Sequence, residues 1–180
     1  MRGIVVAVLL VLGLTGCAQR AEAPPPSTPS PTAAAAFGPA ETAFVELVIA
    51  TDDQAVKLLD AGARRAGPGL RELATDLAAA RRAELAALHE LLRQAGVAYV
   101  NNHEGHDMPG MPTEPELTAL AAAPDFDREF ARLLRAHLTE SATVAGSAGS
   151  LAHPATKDAA ARMTEGRKAE LARLDQLGRG

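Results

Sequence analysis

The chain has 180 residues, of which 47% are hydrophobic and only 3% aromatic, with a formal net charge of −4. That length allows one modest domain besides a leader, and the acidic balance leaves no basic patch for nucleic acid. A single cysteine, Cys17, excludes an internal disulfide and any thiolate cluster.

The N-terminus reads MRGIVVAVLLVLGLTGCAQR. Arg2 is a short positive region, and the apolar run from Ile4 to Leu14 is too short to cross a bilayer. It ends in Leu14-Thr15-Gly16-Cys17, which resembles the lipobox of bacterial lipoproteins. The resemblance implies a signal peptide over 1–16 and lipidation of Cys17. The protein would then be anchored by lipid at the extracytoplasmic face of the cell membrane. Residues 17–39, rich in Pro, Ala, Ser and Thr, cannot bury a core and read as an extended tether.

Residues 40–180 repeat themselves at an offset of 86 residues, the spacing from Phe44 to Phe130. Pro68 then aligns with Pro154, Arg81 with Arg167, and Ala83-Glu84-Leu85-Ala86 with Ala169-Glu170-Leu171-Ala172. Phe44, Val48, Thr51, Ala55, Leu58 and Gly62 recur at helical spacing, and Leu70, Leu73, Leu77, Glu84, Leu88 and Leu91 form a second stripe. Each half, about 40–95 and 126–180, reads as two helices broken before a proline suited to a first helical turn. The expected fold is all-α: a ferritin-like four-helix bundle of two duplicated hairpins, with a long crossover loop over 96–125. A short helix around Glu114 to Ala122 is expected within that crossover.

The seams are interrupted by polar residues at matching places. Thr51 corresponds to His137 and Glu84 to Glu170. These four, with Asp52 beside them, are placed to share one layer of the core. Two readings stand side by side. Glutamates and a histidine in one layer are how bundles build metal sites. Arg81 and Arg167, three residues before their glutamates, have the spacing to pair with them instead.

The crossover carries His103 and the stretch Gly105-His106-Asp107-Met108-Pro109-Gly110-Met111-Pro112. Imidazole with thioether is a soft donor set that suits copper, so His103, His106, Met108 and Met111 are candidate ligands, with His137 as an internal one. Alternatively, Pro109-Gly110 makes a turn and the methionines pack onto the bundle.

These stretches, with VIATDDQAVKLL at 48–59 and FDREFARLLRAHLTESA at 126–142, resemble the bacterial family called domain of unknown function 305. The resemblance implies a ferritin-like bundle, a link to copper outside the cytoplasm, and a His-His pair near the middle of helices one and three. Here those pairs fall on Thr51-Asp52 and His137-Leu138, so one imidazole of four remains. Arg81 and Arg167 stand where the family commonly has Gln, and Leu88 and Leu174 where Met is common.

The leading expectation is a non-enzymatic, lipid-anchored module that binds copper or another metal through the loop. The alternative is a degenerate paralogue without metal, serving as a cell-envelope scaffold with Arg–Glu pairs as its polar layer. A di-metal oxidase ranks below both, because the inward Glu-x-x-His pairs are missing.

Overall fold

The computed structural model describes residues 36–179. The leader, Cys17 and most of the tether lie outside the described residues. Among the described residues there are five α-helices: α1 (Pro39–Arg65), α2 (Pro68–Gln94), α3 (Glu114–Ala122), α4 (Phe126–Ser147) and α5 (Pro154–Leu177). No strand occurs among the described residues. Prolines open α1, α2 and α5, where the missing N–H costs no bond. Asp125 caps α4 by accepting from the Arg128 N–H at 3.1 Å. Thr113 and Glu116 close a reciprocal cap on α3.

α1 packs on α2 and α4 on α5 as two hairpins, and the hairpins meet through α1–α4 and α2–α5. The contacts fix their directions. Glu41, at the start of α1, accepts from the Ala152 and His153 N–H groups just before α5, at 2.8 and 3.2 Å. Asp127, at the start of α4, accepts from the Gly67 N–H just before α2 at 3.1 Å. Glu41 and Asp127 are equivalents in the repeat, as are His153 and Gly67. Each half therefore caps the hairpin turn of the other. α1 and α4 run antiparallel, and so do α2 and α5, whose Asp76 and Arg173 pair at 2.8 Å.

One consequence is that α2 and α4 run the same way. The chain between them must travel the length of the bundle, ~33 Å for a 22-residue helix at ~1.5 Å per residue. It does so along the α1–α4 face. Glu46 near the base of α1 accepts from the Val100 N–H and the Asn102 side chain, Lys57 pairs with Glu114 further up, and the Arg65 guanidinium meets the Ala121 carbonyl at the top. A single long crossover is the connectivity of ferritin-like bundles.

The core is two apolar clusters related by the repeat. One gathers Leu58, Leu59, Leu77, Phe130 and Leu134; the other gathers Phe44, Val48, Ile49, Leu88 and Met163. The seam of α1 runs through Val45, Val48, Asp52, Ala55, Leu59 and Gly62, all buried. The expected positions Phe44 and Leu58 are buried as well. Only at Thr51 does the expected line fail: Thr51 is half-buried, and Asp52 beside it is fully buried. On α2, Arg81 rather than Glu84 is the fully buried polar residue, and Leu92 rather than Leu91 is buried.

Gly62 has a packing reason. A Cβ there would lie 2.4 Å from the Phe130 ring and 3.0 Å from Ala74 Cβ. Gly62→Ala gains up to ~1 kcal/mol in helix propensity but forces a filled core, at ~1–3 kcal/mol. Urea unfolding is expected to show net destabilisation. Adding Phe130→Leu, which frees the space, should recover most of the difference between Gly62→Ala and its own background.

Candidate functional site

Between the two apolar clusters lies a layer of charged side chains. Arg81 and Arg167 are each 1% exposed. Arg81 bonds Glu84 on its own helix at 2.6 Å and reaches across to Glu170. Arg167 mirrors it, bonding Glu84 at 2.9 Å and lying 3.8 Å from Glu170. The two cross-helix pairs are mates in the repeat. Symmetry stops there. Arg167 also donates to Ser141 at 2.7 Å and to Asp52 at 3.3 Å. Asp52 in turn faces His137 Nε2 at 3.7 Å. Thr51, expected in this layer, is half-buried and returns its hydroxyl to the Val48 carbonyl, because the seam passes through Asp52.

The layer sets two guanidinium charges against three carboxylates, Asp52, Glu84 and Glu170. Fully ionised, it would bury one uncompensated negative charge, which is costly in a low-dielectric core. Burial pushes the Glu84 carboxyl up to about 8, helped by the neighbouring Asp52. Burial likewise raises Asp52 and Glu170, the latter against the pull of Arg81. Burial lowers His137, opposed by Asp52. One proton held among the carboxylates makes the layer neutral. A bound cation in the core would instead face two fixed positive charges.

The layer is open between α2 and α5. A groove there of about 430 Å³, walled by Ala80, Ala83, Ala87 and Ala159, reaches Glu84 and Glu170. On the other side the crossover covers it.

The crossover makes two successive turns there, with the His106 N–H on the His103 carbonyl and the Met111 N–H on the Met108 carbonyl, each at 3.1 Å. The first turn sets the His103 and His106 rings edge-to-face, with centroids 6.3 Å apart. Both rings line a cleft of about 730 Å³ together with Met111 and the carboxylates of Asp53, Glu104 and Asp107. Met108 lies in a second cleft against Arg132 and Leu133 of α4, which Met111 also borders. His137 is buried below. Its Nδ1 meets the Gly110 carbonyl at 3.3 Å. The expected ligands thus divide: His103, His106 and Met111 share a cleft, while Met108 and His137 are elsewhere. No cluster of three or more His, Cys, Asp or Glu with metal-binding geometry is preformed among the described residues. Asp53 and Glu104 in the cleft, and Ser141 in the layer, were not singled out from sequence. Ser141 had a signal, standing one turn after His137 on the same seam.

The folded state keeps a proton on Glu84 that the unfolded chain, with an ordinary value of 4.5, has released. Stability therefore falls as pH rises from 4.5 through about 8. The His137 contribution acts below its ordinary value of 6.5, so the interval from pH 7 to 9 isolates the carboxylates. The melting temperature should fall across it in the wild type, and Glu84→Gln should flatten the curve.

A family model described as domain of unknown function (DUF305) matches residues 41–178. No curated protein matches the chain. Among solved structures, the chain is similar to a DUF305 fragment from Deinococcus radiodurans, with a TM-score of 0.70 and 21% identity over 79% of this chain and 98% of that one. It is also similar to CopM in the Cu(II)-bound form, with a TM-score of 0.67 and 22% identity over 76% of this chain and 93% of that one. At these identities the likeness speaks for the fold alone. With the match running through both hairpins and the crossover between them, the chain belongs to the DUF305 family.

Proposed function

We infer that this is a non-enzymatic, lipid-anchored bundle on the extracytoplasmic face of the cell membrane that binds copper at its crossover loop rather than in its core. The observation that carries the reading is the His103–His106 pair, facing each other across 6.3 Å at the edge of a cleft that Met111 also lines. Two imidazoles at that separation can share one ion with metal–nitrogen bonds of ~2 Å. Imidazole with thioether is a donor set that favours copper. The carboxylates of Asp53, Glu104 and Asp107 add attraction for a cation. A structural neighbour, CopM, has a Cu(II)-bound form. The anchor rests on the Leu14-Thr15-Gly16-Cys17 sequence and the tether that follows it.

A second reading is favoured by the core. In the Arg81, Arg167, Glu84, Glu170 and Asp52 layer each charged side chain has an oppositely charged partner without metal, as a cell-envelope scaffold that had given up metal would require.

Cu(I) titration of the full chain in detergent against a chromophoric chelator separates the two. The loop reading expects one equivalent withheld from micromolar chelator, and a loss of ~10-fold or more in affinity in His103→Ala/His106→Ala. Failure of the wild type to compete leaves the scaffold reading. For the anchor, wild-type protein is expected in the membrane fraction and Cys17→Ser in the soluble fraction; an unchanged distribution contradicts lipidation at Cys17.

A further inference from the structure

We propose that His137 serves as the positioning residue of the loop site, holding the loop on the bundle, and does not ligate metal itself. His137 acts in this way only if the loop is the metal site, so its role rests on that reading. The Gly110 carbonyl can only accept, so the His137 Nδ1 that meets it at 3.3 Å carries the ring proton and donates. The other nitrogen, Nε2, is buried, has no hydrogen-bond partner and faces Asp52 at 3.7 Å. The ring is 1% exposed. It is held between the loop backbone on one side and the charged layer on the other, so coordinating an ion in the His103–His106 cleft would require giving up the Gly110 bond and leaving the core.

The loop side of the contact is equally constrained. Gly110 has φ +71°, a left-handed conformation that side chains disfavour. A Cβ there would lie 2.5 Å from Glu140 Cβ and 2.8 Å from the Ala136 carbonyl. The loop backbone therefore lies flush on α4 between Ala136, next to His137, and Glu140, one turn on, and Met111, the next residue, is only 6% exposed. The bond at Gly110 fixes the second turn of the crossover, and through it Met111 relative to the histidine pair of the first turn. The imidazole thus holds the loop, the kind of outer-sphere contact that tunes metal affinity.

Two variants break the contact from opposite sides. His137→Leu removes the donor and keeps an apolar body in the core. Gly110→Ala leaves the core untouched and lifts the loop. Each is expected to speed hydrogen exchange at the Met111 amide in the copper-free full chain, and to weaken Cu(I) binding ~10-fold or more. The double variant should be no worse than either single. His137→Asn, whose side-chain amide offers a donor near the Nδ1 position, should recover slow exchange and bring affinity back to within a few-fold of wild type. Weak binding in His137→Asn with slow Met111 exchange would make His137 a ligand and overturn the proposal. Unchanged exchange in both His137→Leu and Gly110→Ala would also overturn it. Exchange is read without metal, so a wild type that binds no Cu(I) refutes the loop site while leaving the contact at Gly110 separately tested.

Discussion

The reciprocal bonds of Arg81 to Glu170 and Arg167 to Glu84 are the constraint around which this bundle is arranged. Buried ions are costly to desolvate, and breaking one partner from such a pair costs roughly 3–5 kcal/mol because the other is left uncompensated. The pairs form only if α2 and α5 run antiparallel with Arg81 opposite Glu170. That register places Phe130 and its neighbours on one side of the layer and Phe44 and its neighbours on the other. Apolar contacts alone would tolerate a slip of one helical turn. A slip would strand two guanidinium groups among leucines.

The same register decides where the crossover goes. With α2 and α4 parallel, the connection must climb the bundle, and Glu46, Lys57 and Arg65 hold it to the α1–α4 face on the way. Its two turns come to rest at the height of the layer, over His137. The loop and the core are thus neighbours by topology, and His137 is the side chain where they touch. The repeat is symmetric in its helices, caps and cross-helix pairs. It is asymmetric where the loop lands: Thr51 and His137 are equivalents, yet only His137 lies under a loop and is buried.

Much of the fold was legible in the sequence. The 86-residue repeat, the prolines at three helix starts and the position of α3 all follow from residue type and spacing. The relative direction of the hairpins was not, because it depends on Glu41 and Asp127 reaching turns more than fifty residues away. The polar layer was legible as a set of positions but not as bonds. Glu84 sits on the stripe, yet Arg81, three residues earlier, is the residue that goes fully inside, because its long stem spans apolar surface and its fork needs two carboxylates at once. Thr51 and Asp52 differ by one residue in a seam whose buried face is wider than a two-position stripe, and one residue decided which entered the core. Of the loop, sequence supplied the soft residues; the backbone turns then split them, leaving Met108 outside the cleft that His103, His106 and Met111 line.

Two fixed positive charges oppose a cation in the core, and the proposed site lies outside it, at the His103–His106 pair. The most direct measurement is the nitrogen NMR of the histidine rings as Cu(I) is added to the protein. This account predicts that the His103 and His106 ring nitrogens shift together while the His137 Nδ1 proton stays in place. A shift of the His137 Nε2 resonance with loss of its Nδ1 contact would put the metal in the core and contradict it.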